Sequence, residues 1–200
     1  TAARLELPSL SRGRFGIDDQ AAAGASIYAY TDERLFEQTG VRIAFSEREG
    51  GVSLPPYDSL NLATHVNDDV LSVQRNRRTL LSALGCPEAQ LVVPNQVHGT
   101  HVVEVIGGDL LAVEAAREQA QAGADALIID RPQTAALLNY ADCVPLIIVA
   151  PTGAFAVVHA GWRGVYAHIV VKALYKLCAL AACEPADVNV YIGAYIHAAC

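Results

Sequence analysis

The stretch Leu137–Trp162, LLNYADCVPLIIVAPTGAFAVVHAGW, is the most apolar in the chain, and its reading decides the fold. It is long enough to cross a membrane, but Asp142, Pro145, Pro151 and Gly153 interrupt it. Two short strands, Leu146–Val149 and Phe155–Val158, joined by a Pro/Gly turn, accommodate those interruptions better than one spanning helix. Neither run alternates polar with apolar residues, and continuous apolarity marks strands covered on both faces. The chain is therefore expected to be a soluble globular protein with no membrane partner.

Outward from this centre, Ala126–Ile129 and Ala135–Asn139 are two further apolar runs separated by turn signals. Downstream, Val165–Ala182 reads as one long helix with Ile169, Ala173, Leu174, Leu177 and Leu180 facing inward, and Val188–Ile192 as a last strand. Upstream, Val41–Phe45 alternates and predicts a strand running into the turn-rich loop Glu49–Pro56. Asn67, Asp68 and Asp69 offer N-caps for a helix over Val70–Leu84, striped by Val70, Val73, Leu80, Leu81 and Leu84 and ended by Gly85. Leu91–Val93 and Val102–Ile106 are predicted strands, and Asp109–Gln121 a helix closed by Gly123. Strand pairs of hairpin type mixed with helices define an α+β class with layered sheets, not a simple βαβ repeat. Residues 1–26, broken by Pro8, Gly13, Gly16 and Gly24, are expected to form an extended or poorly ordered arm before a single domain over 27–200.

The 200 residues are 52% hydrophobic and 18% charged, a globular balance. A net charge of −7 without a Lys/Arg stripe excludes a nucleic-acid partner, although local arginines can still hold a small anion. Five cysteines without framework spacing argue against a disulfide scaffold. No charged-then-apolar leader follows Thr1, so a cytoplasmic location is expected, and a monomer is the expected state. The chain contains no methionine, so its start at Thr1 is read as trimmed.

Three distant stretches carry metal-capable side chains in turn-forming settings: Gln96-Val97-His98-Gly99, Ala141-Asp142-Cys143-Val144-Pro145 and His159-Ala160-Gly161-Trp162-Arg163-Gly164. One thiolate and two imidazoles suit zinc or copper and suit magnesium or calcium poorly. Three protein ligands leave a coordination position open, as catalytic zinc sites do. Asp142 beside Cys143 can orient a ligand histidine. Arg163, flanked by two glycines after a strand, is placed to meet an anion at a helix N-terminus. Each piece has a duller reading alone: a surface histidine, an inert core thiol, a packed tryptophan corner. His101 is a weaker candidate, because it opens a strand.

With these stretches the chain resembles the laccase-domain, multicopper polyphenol oxidase family of the YfiH type. The resemblance covers roughly residues 42–200. It also rests on Phe45–Ser53, Ser59-Leu60-Asn61-Leu62, Asn76-Arg77 and Ala124-Asp125-Ala126-Leu127. It implies zinc-dependent purine nucleoside phosphorylase activity together with adenosine deamination. It implies His98, Cys143 and His159 as metal ligands, agreeing with the selection from residue chemistry. It further implies a four-layer αββα sandwich, shared with bacterial toxins that act as cysteine hydrolases. Arg48, Asn61 and Arg163 match motif positions around the pocket and are read as phosphate or ribose contacts from their chemistry, with Asp142 a further substrate contact.

Glu47 departs from the family's usual Thr, and Ile129 and Tyr140 stand for small polar residues that commonly line the pocket. Ala194 and His197 interrupt a terminal Ile-Gly-Pro pattern, and the chain stops at Cys200, where relatives continue, so a C-terminal truncation is expected. The expected reaction is phosphorolysis of a purine nucleoside, with nucleoside and phosphate as partners, zinc as cofactor and copper as its competitor. The alternative is a metal-independent cysteine hydrolase or amidase, with Cys143 as nucleophile and His159 as base. A true multicopper oxidase needs paired His-x-His arrangements, which the six histidines do not form.

Overall fold

The computed structural model describes residues 4–16 and 26–196, so His197 and Cys200 lie outside the described residues. Contacts divide the chain into two compact units, one of Ser9–Glu33 with Arg42–Ala89, the other of Thr1–Pro8, Arg34–Val41 and Gln90–Cys200. Ser11–Gly16 forms strand β1 inside the segment 1–26, which the sequence predicts as an extended or poorly ordered arm.

In the smaller unit, β1 pairs antiparallel with β2 (Ser26–Thr31), and β2 pairs with β3 (Phe45–Ser46). Of the strand predicted over Val41–Phe45 only Phe45 lies in β3, because the antiparallel pairing with β2 reaches only Phe45 and Ser46. After α1 (Glu33–Thr39), helix α2 spans Val70–Ala83, with the Asp69 carboxylate accepting from the Ser72 N–H as N-cap. Val73 and Leu80 are buried as the stripe requires, whereas Val70 is 51% exposed. Asn76, on the same helix, is fully buried. Its amide donates to Ser53 Oγ and to the carbonyls of Ser59 and Asn61, and its Oδ1 accepts the Val52 N–H. A polar side chain replaces packing with a fastening for the loop over 51–61.

The larger unit carries a five-stranded mixed sheet in the order β10-β8-β9-β6-β5 and a two-stranded parallel pair β4-β7. These are β4 (Gln90–Val92), β5 (Val102–Ile106), β6 (Ala126–Asp130), β7 (Thr134–Ala136), β8 (Val144–Val149), β9 (Phe155–Ala160) and β10 (Asn189–Ile192). The opening stretch is thus the β8–β9 antiparallel hairpin, and among the described residues no helix is long and apolar enough to cross a membrane. Helix α3 (Leu110–Ala122) joins β5 to its parallel neighbour β6, capped by Asp109 and ended at Gly123.

Ala126, Ile128, Leu146, Ile148, Ala156, Val158 and Ala160 form one sheet face, packed on Ile169, Ala173 and Leu177 of helix α5 (Ile169–Ala181). Leu127, Ile129, Ile147, Val149, Val157 and His159, the alternate residues, are buried too, which accounts for the unbroken apolarity. Each fully buried Ile or Leu here contributes roughly 1.5–3 kcal/mol.

The single helix expected over Val165–Ala182 is two: α4 (Trp162–Tyr166) and α5, separated at His168, whose φ of 61° lies in the left-handed region. Apolar spacing alone cannot register one residue of reversed backbone. The arrangement of strands and helices is α+β, as the element order predicts.

Candidate metal centre

Three connections of the larger unit deliver the three stretches to one place. His98 sits in the loop between β4 and β5, Cys143 immediately precedes β8, and His159 is the penultimate residue of β9. Register explains part of this: β8 and β9 pair Pro145 with His159, so the residue before β8 faces the end of β9. One ligand atom from each of His98, Cys143 and His159 lies within 4.8 Å of the others. Cys143 Sγ is 3.8 Å from His98 Nε2, and the two imidazoles meet edge to face, with centroids 4.8 Å apart.

Tetrahedral zinc, at about 2.3 Å from sulfur and about 2.0 Å from nitrogen, would hold such atoms about 3.5 Å apart. The cluster therefore fits a small metal after a modest contraction. The donors also fit in kind, as a soft thiolate with two imidazoles. His159 is buried, Cys143 half-buried and His98 exposed, so the group has an inner wall and an open side for a fourth ligand.

Gly161 shapes the inner approach. A Cβ there would stand 2.8 Å from His98 Cδ2 and 3.3 Å from Cys143 Sγ, so the glycine leaves the space the ligands occupy. Its own φ of −68° is ordinary, and the requirement is for room, not for backbone freedom. His98 itself has a φ of 60°, a left-handed setting uncommon for a non-glycine residue.

That setting is braced by Asp125, a fully buried carboxylate just before β6. It accepts the backbone N–H groups of His98 at 2.9 Å, Gly99 at 2.7 Å and Val97 at 3.3 Å, and its Oδ1 lies 2.8 Å from His159 Nδ1. The carboxylate beside His159 is therefore Asp125, whereas Asp142, expected to orient a histidine of the group, is exposed. The sequence carried one signal for it: a charged residue abutting the wholly apolar Ala126–Ile129 needs several partners to be buried. The Gln96 side chain completes the frame, donating to the Asn139 carbonyl at 2.7 Å and accepting the Asn139 N–H at 2.8 Å.

Other expected residues are placed differently. Arg163 is exposed, and its guanidinium stacks on the Trp162 ring at 4.8 Å. The helix it belongs to, α4, is a five-residue turn, too short to offer the anion site expected at its N-terminus. Arg48 and Asn61 belong to the smaller unit. Arg48 donates to the Asp58 carbonyl, and Asn61 bonds Ala63 through both backbone groups and the Asp68 carboxylate. Glu47 accepts two bonds from Arg12, at 2.6 and 2.8 Å, which hold its carboxyl below the usual range. Ile129 is 1% exposed within β6, a core residue and not a pocket wall. Tyr140 is half-buried, and that burial raises its phenol pKa. His101 is turned away, with Nδ1 2.8 Å from the Gly123 carbonyl.

Comparison with known proteins places the chain in a family. The family model described as multi-copper polyphenol oxidoreductase laccase matches residues 42–200, and the chain belongs to that family. A purine nucleoside phosphorylase of Mycobacterium tuberculosis is 37% identical over 154 residues, 76% of this chain and 58% of the relative. The purine nucleoside phosphorylase YfiH of Escherichia coli is 38% identical over 132 residues, 66% of this chain and 50% of the relative. The chain thus spans about half the length of these relatives. Among solved structures, YfiH of Bacillus licheniformis superposes with a TM-score of 0.74 at 28% identity, covering 86% of this chain and 64% of that one. YlmD of Geobacillus stearothermophilus gives a TM-score of 0.66 at 30% identity, covering 95% and 65%.

Proposed function

We propose that the chain carries the metal centre of a zinc-dependent purine nucleoside phosphorylase that also deaminates adenosine. The observation that carries the reading is the convergence of His98, Cys143 and His159 from three separate connections. The curated relatives are named purine nucleoside phosphorylases, which supplies the reaction: phosphate displaces the base at the anomeric carbon, giving free base and ribose 1-phosphate.

A zinc held by His98, Cys143 and His159 would supply a Lewis acid to polarise a substrate group in either reaction, and would lower the pKa of coordinated water, the nucleophile that deamination consumes. The protein's own part is to hold two imidazoles and a thiolate on a rigid frame and leave one side open. Within the larger unit, phosphate is assigned to Arg163 and a nucleoside contact to Asp142, on side-chain chemistry. Trp162, 71% exposed beside Arg163, adds an aromatic face of the kind a purine stacks on.

The test is turnover of inosine with phosphate to hypoxanthine, run beside metal analysis of the freshly purified protein. A metal-free His98→Ala variant that keeps full turnover would sink this reading. The 3.8 Å contact between Cys143 Sγ and His98 Nε2 keeps a second reading, a cysteine hydrolase. In it the imidazole in contact with the thiol is His98, where the sequence reading takes His159 as the base.

A further inference from the structure

Asp125 touches both histidine-bearing segments, through its side chain and its backbone. Its N–H donates to the His101 carbonyl at 3.1 Å, and its carbonyl accepts the His159 N–H at 2.7 Å. The carboxylate adds three N–H donors from Val97, His98 and Gly99, and the ring of His159. Oδ1 is shared between the His98 N–H and His159 Nδ1, which places one oxygen between the two ligands.

We propose that Asp125 is the positioning residue of the metal centre, setting at once the tautomer of His159 and the backbone of His98. This rests on the metal reading above. A carboxylate already accepting three backbone N–H groups offers no proton, so the facing ring nitrogen supplies one. His159 is then the Nδ1–H tautomer, and its Nε2 lone pair is directed away from Asp125 and free to ligate. The same carboxylate gathers successive N–H groups of the loop, which holds His98 at its φ of 60°. Neither effect touches Cys143. Loss of the carboxylate should therefore loosen both nitrogen ligands together and leave the sulfur ligand in place.

Asp125→Asn preserves shape but presents an NH2 group to donors. Either orientation of the amide sets this group against the loop N–H groups or against His159. The variant should bind zinc about ten- to a hundred-fold more weakly than the parent chain, the range typical of a lost partner to a ligand histidine. The measurement is chelator competition, with cobalt as a spectroscopic probe. The variant's cobalt spectrum should keep its thiolate band while the ligand-field bands move.

A second measurement needs no variant. Nitrogen-detected NMR of the metal-free parent chain should show His159 protonated at Nδ1. Parent-like zinc affinity in a folded Asp125→Asn chain, or an Nε2–H His159 in the parent, overturns the proposal. A parent chain that binds zinc but turns over no nucleoside would overturn the functional reading and leave this one standing.

Discussion

Gly161 lies against the edge of the His98 imidazole, at a distance where a single added carbon would collide at 2.8 Å with Cδ2. The colliding atom belongs to an exposed side chain that can swing away, so the cost of Gly161→Ala falls on the site before the fold. The variant should keep its thermal midpoint within a few degrees and lose zinc affinity by about ten-fold or more, with overpacking strain of about 1–3 kcal/mol. Isothermal titration with zinc checks it, and undiminished affinity would show that His98 does not need the space.

Cysteine reactivity separates the two functional readings. Cys143 is half-buried beside an imidazole, whereas burial and the neighbouring Cys183 push the Cys178 thiol up to about 11. Iodoacetamide at pH 8 should label Cys143 well before Cys178, as read by peptide mass spectrometry. Added zinc should protect Cys143. Labelling of Cys143 at the same rate with and without zinc would favour the hydrolase.

The Asn76 amide is a stability element of the smaller unit. Asn76→Ala removes four hydrogen bonds and leaves the Val52 N–H and two carbonyls without this partner. A loss of about 2–4 kcal/mol is expected. Urea unfolding followed by circular dichroism measures it, and a shift below about 1 kcal/mol would mean water replaces the amide.

Acid should weaken the smaller unit through Asp68. Hydrogen bonds from Asn61 and Ser53 hold its carboxyl below the ordinary 3.8. A depressed carboxyl contributes stability that is complete above its unfolded value and fades as pH falls through the folded one. Thermal midpoints should therefore be level from neutrality to about pH 5 and decline below about pH 4. Asp68→Asn should start lower and decline less steeply; an identical slope would remove Asp68 from the account.

Much of this molecule can be read from residue order. Val102–Ile106 as a strand, Asp109 and Gly123 as the ends of α3, and the hairpin within Leu137–Trp162 follow from local chemistry. The ligand types were visible as well, because Cys, His and glycine-rich turns are uncommon together. What escaped were relations that depend on distant partners. Ser11–Gly16 is a strand because Ser26–Thr31 lies beside it. His168 reverses the backbone between two helices that share one apolar spacing. Asp125 takes its meaning from a loop residue 27 positions earlier and a ring 34 positions later. Arg48 and Arg163 showed charge but not occupation, and each proves to have an intramolecular contact.

The hairpin that joins Cys143 to His159 also sets rules for how this chain can change length. Val144 to Val149 pairs with Phe155 to Ala160 residue for residue, and the turn over 150–154 closes it. Residues added at that turn leave Cys143 and His159 where they are. A single deletion inside β9 reverses the side of the sheet on which every residue beyond it emerges, and would put His159 on the α5 face. Length variation in relatives that keep His and Cys at these three positions should therefore fall in the turn, or arrive in even numbers shared by both strands.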